Sequence, residues 1–140
     1  MEAVLLPIAL ISSAALFGGM LAFTAFFAPQ AFKLLPEGVS DKFVRELFPL
    51  FYLYATVLSG IATVAFLPIR MPETIVMALV TAGFVFARYY LMPRTVRAHE
   101  AREKGTHGAA EAFADLHKRS AFVNMMQFIG TCIVLVRMVN

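Results

Sequence analysis

Residues 3–32 read AVLLPIALISSAALFGGMLAFTAFFAPQAF and contain no charged side chain. About 20 apolar residues cross ~30 Å of hydrocarbon as an α-helix, because each residue adds ~1.5 Å along the axis. The stretch therefore predicts a membrane-spanning helix, which we place at about residues 5–27 and end at Pro29. It lacks a basic N-terminal region and exceeds the apolar part of a secretory signal, so we expect a retained helix.

The composition of the whole chain favours the same environment. Of its 140 residues, 15% are charged and 60% are hydrophobic, whereas soluble domains have roughly 25% and roughly 45–50%. A soluble chain of this size leaves too much surface exposed to hide so many apolar side chains. The balance excludes a disordered chain, a disulfide scaffold and an ordinary soluble enzyme.

Three further spans follow from the other gaps between charged residues. Span two is predicted at about 49–68, with Pro49 in its first turn, where its missing N–H is tolerated. Span three is predicted at about 73–92 and span four at about 120–138. We therefore expect an all-α, polytopic membrane protein with a single domain over residues 1–140. Its architecture would be a four-transmembrane-helix bundle with a cytoplasmic helical hairpin between spans three and four.

Basic residues are concentrated on one side of these spans. The loop between spans one and two holds three Lys or Arg residues, and the segment from Arg88 to span four holds seven. The opposite side has only Arg70 and Arg137. Because cytoplasmic loops carry the excess of positive charge, we expect loops 28–48 and 93–119 in the cytoplasm and both termini outside. The partner is then the lipid bilayer (the inner membrane in a bacterium) and not nucleic acid.

The two cytoplasmic segments are expected to contain further helix. Ser40 can cap a short interfacial helix that has Asp41 in its first turn and an apolar face including Phe43 and Val44. In the hairpin, residues 105–108 read GTHG and predict a turn.

Uncharged polar residues recur on one face of several spans. Lipid offers no hydrogen-bond partners, so such residues should face protein or water. Steps of three and four place one set on a single face of span four: His117, Ser120, Asn124, Gln127 and Thr131. The same steps occur in span two at Tyr52, Thr56, Ser59 and Thr63, and a step of seven relates Thr81 to Arg88 in span three.

This polar seam has two interpretations. In the functional one it binds or passes a small solute or ion, and the candidate residues are His117, Ser120, Asn124, Gln127, Arg88, Tyr52 and Thr56. In the structural one the same groups join helices by hydrogen bonds, and the hydroxyl groups bond to their own helix backbone. Span one contributes small residues, Ala14, Gly18 and Ala22, with Ala15 and Gly19 beside them, which predicts close helix approach.

Patterns typical of catalysis or of bound cofactors are weak in this sequence. Cys132 is the only cysteine, so an intrachain disulfide and a Cys-based zinc site are both excluded. No cofactor is predicted, and a metal ion such as Cu(I), which suits methionine thioethers, is the weaker alternative. His99 and His107 are expected to be solvated hairpin residues. Without paired carboxylates, a nucleophile–base pair or a phosphate loop, an enzyme is the least favoured class.

Several short patterns resemble the transmembrane-protein-205-like domain family. They are LFPLFY at 47–52, Arg88 followed by PRT at 93–95, and Phe-x-x-x-His-x-x-Ser-x-x-x-Asn from Phe113 to Asn124, together with Gly18-Gly19 and Leu35-Pro36. The resemblance covers essentially the whole chain. It implies a four-span bundle of a kind long catalogued as a domain of unknown function. It marks Pro49, Tyr52, Arg88, Pro93, Arg94, His117, Ser120 and Asn124 as the family's pattern.

Two functional hypotheses follow. The leading one is a small transporter or binding protein for a small solute or ion, which would need self-association, as a homo-oligomer, to form a path. The alternative is a non-catalytic accessory or scaffold subunit of a membrane complex, whose seam is structural and whose hairpin docks a partner.

Overall fold

The computed structural model describes the backbone of residues 1–140 and every side chain except those of Phe32, Glu37, Ser40, Asp41 and Val44. The chain is 90% helical, and the described residues form no strand. The predicted cap at Ser40 and the predicted positions of the Asp41 and Val44 side chains lie outside the described side chains.

Six α-helices and two π-helical turns make up the fold. Helix α1 (Glu2–Ala22) continues through a first π-turn (Phe23–Phe27) into α2 (Ala28–Leu34). They are followed by α3 (Glu37–Phe66), α4 (Met71–Phe86), a second π-turn (Ala87–Leu91), α5 (Met92–Glu103) and α6 (Ala109–Val139). The turn between α5 and α6 contains Gly105 and Gly108 at φ +74° and +78°, a backbone conformation that favours glycine.

Four helical segments are long and apolar enough to cross a membrane. They are Glu2–Ala31, Arg45–Phe66, Met71–Glu103 and Ala109–Val139. This confirms the predicted all-α class with four spans. Each segment exposes apolar side chains outward, as expected of a surface that faces lipid.

Two prolines occupy different places in the helices from those predicted. Pro29 does not end the first helix, because the backbone passes through the π-turn and continues as α2 with Pro29 in its first turn. Pro49 lies inside α3 rather than in a first turn, because α3 begins at Glu37. The short helix predicted before span two is therefore the first part of one continuous helix.

The four long helices pack as a ring. Helix α1 contacts α3, α3 contacts α4, α4 contacts α6, and α6 closes the ring on α1. The centre is filled by large side chains that are less than 2% exposed, among them Leu16, Phe66, Met77, Phe84 and Val134. The α5–α6 hairpin extends α4 and α6 at one end of this ring.

Close approach of α1 and α3 occurs beside the small residues that were expected to produce it. A Cβ at Gly19 would lie 2.6 Å from Cε1 of Tyr54, and the Tyr54 hydroxyl donates a hydrogen bond to the carbonyl of Ala15 at 2.9 Å. By contrast, Ala14 and Gly18 are exposed, and a Cβ at Gly18 would meet nothing within 4 Å. The contact face of α1 therefore contains Ala15 and Gly19, one position along from the predicted face.

Most threonine hydroxyls in the spans bond to their own helix. Thr56, Thr63, Thr81 and Thr131 each donate to the carbonyl four residues earlier, at distances of 2.6 to 2.8 Å. One contact also joins two helices, since Oγ1 of Thr63 lies 3.4 Å from Oγ1 of Thr81. For these hydroxyl groups the structure supports the structural interpretation of the seam.

Candidate functional site

A groove of about 610 Å³ lies between the first and last helices at the hairpin end of the bundle. Its walls come from the end of α1 and the first π-turn, from the first part of α3, from α5, and from one face of α6. Most of the lining is apolar, and polar groups gather towards the hairpin. A mainly apolar concavity with a few polar groups is the usual form of a small-molecule site, and this volume lies within the usual range.

Four of the seven predicted site residues line this groove: Tyr52, His117, Ser120 and Asn124. Tyr52 comes from α3, and the other three come from successive turns of α6. The α6 residues share a wall because steps of three and four keep side chains on one helix face.

Tyr52 is almost completely buried and is held by aromatic neighbours. It is 6% exposed, and its ring centroid lies 5.8 Å from those of Phe48 and Phe51 and 6.4 Å from that of Phe84. These contacts hold the ring in the wall, and its hydroxyl makes no hydrogen bond with the described residues. The hydroxyl therefore remains available to a ligand.

Asn124 also has unused hydrogen-bonding capacity. Its Oδ1 atom is shielded from solvent and accepts no hydrogen bond from the described residues. Buried polar atoms in native proteins are nearly always paired. Oγ of Ser13 and Oε1 of Gln127 also lack a partner among the described residues, but of these three side chains only Asn124 lines the groove. Asn124 and Tyr52 thus give the apolar part of the groove two polar groups.

The remaining three predicted residues lie outside the groove. Gln127 is 4% exposed and donates from Nε2 to the carbonyl of Val80 on α4 at 3.0 Å, so it joins helices. Thr56 bonds to its own helix. Arg88 places its guanidinium 5.5 Å from the ring centre of Tyr89, and within 4.0 Å it meets no carboxylate of the described side chains.

Stacked rings and basic groups form the polar end of the groove. The ring of His117 stacks on Phe113 at 6.1 Å, and the guanidinium of Arg102 lies 4.4 Å from the centre of the Phe113 ring on α6. Arg45 reaches the groove from α3 and also lies 3.8 Å from Glu100 on α5. Aromatic faces commonly hold a guanidinium group at a partly apolar surface, because the ring attracts the positive charge.

No group of three or more His, Cys, Asp or Glu side chains suited to a metal ion occurs among the described residues. The three methionines that line the groove, Met20, Met92 and Met125, act there as apolar wall.

Comparison with models of protein families assigns the chain to one family. The model of a family described as "Domain of unknown function (DUF4149)" matches residues 11–104, more than half of the sequence. The chain belongs to the DUF4149 family. No curated protein matches the chain, and no solved structure matches it.

The DUF4149 match includes three walls of the groove and ends before the fourth. It runs from α1 to the end of α5 and therefore includes Tyr52, Arg45 and Arg88. Helix α6, which carries His117 and Asn124, follows the matched residues.

Two groove residues were missed or misplaced by the sequence analysis. Arg45 was used only as a topological charge, although it lines the groove. His99 was expected to be solvated but is only 8% exposed, because its ring packs 5.4 Å from Phe113 across the hairpin. Its ring nitrogens lie 3.1 Å from Arg102 and 3.1 Å from Glu103, on the same helix. The i+3 and i+4 spacing of those partners was a signal that could have indicated this cluster.

A second missed feature lies at the opposite end of the DUF4149 bundle. Glu73, at the start of α4, is 2% exposed, and its Oε1 accepts a hydrogen bond from Nε of Arg137 at 2.9 Å. Arg70 lies 3.8 Å from the same oxygen. The predicted topology puts the start of span three and the end of span four on the same side, so that pairing could have been anticipated.

Proposed function

We propose that the chain is a membrane protein that binds a small molecule in the groove, as a binding protein or as the binding step of a small transporter. The observation that carries this proposal is the meeting of Tyr52, His117, Ser120 and Asn124 in one cavity. One of them, Asn124, has a buried oxygen with no partner among the described residues, and the Tyr52 hydroxyl makes no hydrogen bond with those residues. A buried polar atom without a partner is costly.

Binding is better supported than passage through the bundle. Deeper in the seam Nε2 of Gln127 donates to the carbonyl of Val80, and Thr131 bonds to its own helix. Phe84 fills the centre beside Tyr52 and is completely buried. These side chains favour a groove that ends inside the bundle over a continuous polar path.

Two alanines allow a matched test. Ala121 lies in the groove wall on α6, and Ala78 is an exposed alanine of α4 away from the groove. Native mass spectrometry of the protein purified in mild detergent should find a retained small molecule in the wild type and in Ala78→Phe. Ala121→Phe should lose it, because the added ring occupies the groove.

Polar variants test the wall residues themselves. Asn124→Leu and His117→Ala should each lower retention of that molecule by roughly tenfold, the order expected for one lost hydrogen bond to a ligand. An empty wild-type protein, or equal retention in Ala78→Phe and Ala121→Phe, contradicts the proposal.

A second candidate is a non-catalytic accessory or scaffold subunit, in a homo-oligomer or a membrane complex. It is supported by the uncovered small-residue face at Ala14 and Gly18, which has room for a neighbouring helix. Cross-linking through a cysteine placed at Ala14 should then give a defined adduct. A monomeric protein without a stable partner in mild detergent contradicts this candidate.

We also propose an orientation in the membrane and a relationship to a named group of proteins, both from the sequence. The excess of Lys and Arg supports a cytoplasmic hairpin with both termini outside, and an inner-membrane location in a bacterium. A C-terminal reporter active only in the cytoplasm should be silent. The spacing of Phe113, His117, Ser120 and Asn124 supports a relationship to transmembrane-protein-205-like proteins.

A further inference from the structure

The groove is open sideways, on the part of the surface that would face lipid. Leu21 on one rim is 44% exposed and Met125 on the other rim is 59% exposed, although both line the groove. Ala25 and Ala121, one turn nearer the hairpin on each rim, are exposed as well. Both rims belong to helices that can span a membrane. A molecule dissolved in the bilayer could therefore enter between α1 and α6 without crossing water.

The length of the groove matches one leaflet of a membrane. Along α6 its lining runs from Phe113 to Phe128. Fifteen residue steps at ~1.5 Å each give about 22 Å along the helix axis. Half of a bilayer that is ~40–45 Å thick with its headgroup regions is about 20–22 Å. Arg45 lines the polar end and lies just before the charge-free run from Leu47 to Ile69, so that end lies at the edge of the hydrocarbon.

The charge at the polar end is basic. Arg45 and two histidines, His99 and His117, line the groove, and no described carboxylate does. Among the described side chains Arg45 has one carboxylate within 4.0 Å, that of Glu100 at 3.8 Å, and both side chains are substantially exposed at 36% and 52%. A long, exposed ion pair of this kind is weak. The guanidinium can therefore accept a second anionic partner.

We propose that the groove binds a single anionic membrane lipid of the leaflet on the hairpin side. One acyl chain lies against Met125 and Phe128, and the headgroup phosphate lies beside Arg45 and His117. The apolar length, the lateral opening and the basic end together carry this assignment. It rests on the proposed function, because it names the class of molecule that the groove takes.

Two adjacent methionines allow a direct test, since the chain contains no tryptophan. Met125 lines the groove, whereas Met126 is similarly exposed (59% and 53%) at nearly the same depth but does not line it. Met125→Trp and Met126→Trp are reconstituted separately into phosphatidylcholine vesicles. Each variant is placed in two separate vesicle preparations. One contains dibrominated phosphatidylglycerol, and the other contains the same mole fraction of dibrominated phosphatidylcholine. The bromines of both lipids quench tryptophan on contact.

The anionic brominated lipid should quench Met125→Trp about threefold more effectively than the neutral one, the preference expected from one partly exposed charge contact. Met126→Trp should be quenched equally by both lipids. Adding Arg45→Gln to Met125→Trp should abolish the preference.

Equal quenching of Met125→Trp by the two lipids overturns the lipid assignment. So does protection of Met125→Trp from both lipids while Met126→Trp is quenched, which would place a protein segment in the groove. If the wild type still retains a small molecule that Ala121→Phe loses, the proposed function stands and only the lipid assignment fails. If nothing is retained, both fail.

Discussion

Replacing Arg137 by methionine should destabilise the bundle more than replacing Glu73 by glutamine, although each change removes the same ion pair. The Glu73 carboxylate is 2% exposed in the wild type, and Arg137→Met leaves it with Arg70 at 3.8 Å and with its own backbone N–H. We expect a loss of about 2–3 kcal/mol, below the ~3–5 kcal/mol of a fully buried pair because Arg70 remains. Glu73→Gln instead leaves Arg137, whose side chain is 56% exposed, free to be hydrated. That change should cost less than ~1 kcal/mol.

The measurement is the free energy of unfolding in mixed detergent micelles titrated with sodium dodecyl sulfate and followed by helical circular dichroism. The double variant Glu73→Gln/Arg137→Met is the control for coupling. It should be about as stable as Glu73→Gln alone, because it no longer contains a buried charge. Two results would contradict this prediction: Arg137→Met is no less stable than Glu73→Gln, or the double variant is as unstable as Arg137→Met. In either case burial of the carboxylate does not determine the free energies of unfolding of these variants.

Further predictions concern two tight helix contacts at glycines and use the same unfolding titration. Gly19→Ala should cost about 1 kcal/mol, because the partly exposed Tyr54 ring can swing away but loses its hydrogen bond. Gly18→Ala is the control and should change stability by less than ~0.5 kcal/mol, since its Cβ meets nothing. Gly83→Ala should cost about 1–3 kcal/mol, because its Cβ would lie 2.6 Å from Nε2 of the buried Gln127. Equal effects of Gly18→Ala and Gly19→Ala would refute the packing argument.

The fold could be predicted because the distribution of charge along the chain has a direct physical consequence. A span must avoid charge over about 20 residues, so the stretch from Ala3 to Phe32 could hardly form anything but a spanning helix. The wall of the groove was predictable for a similar reason. His117, Ser120 and Asn124 share a helix face through backbone geometry alone.

The sequence could not say which neighbour each part of a helix face meets. Each residue turns the helix by about 100°, so the three residues from Asn124 to Gln127 rotate the side chain by about 60°. That rotation, together with the glycine at position 83, directs Gln127 towards α4 and away from the groove. The burial of His99 likewise depends on Phe113, which comes from the other helix of the hairpin. Such contacts between distant residues leave no pattern in the local sequence.

The two π-turns give a physical reason for a groove at the hairpin end. Pro29 follows the first residue of one π-turn by six positions, and Pro93 follows the first residue of the other by the same number. Proline has no N–H, and its ring crowds the carbonyl of the preceding turn. In each π-turn the capping N–H bonds to the carbonyl five residues earlier, which accommodates the proline without ending the helix. Phe23, Thr24 and Ala25 of the first π-turn line the groove, and Met92 follows directly after the second. The helices therefore continue past both prolines because the backbone widens at the π-turns. This widening lies beside the groove and leaves space next to the polar face of α6.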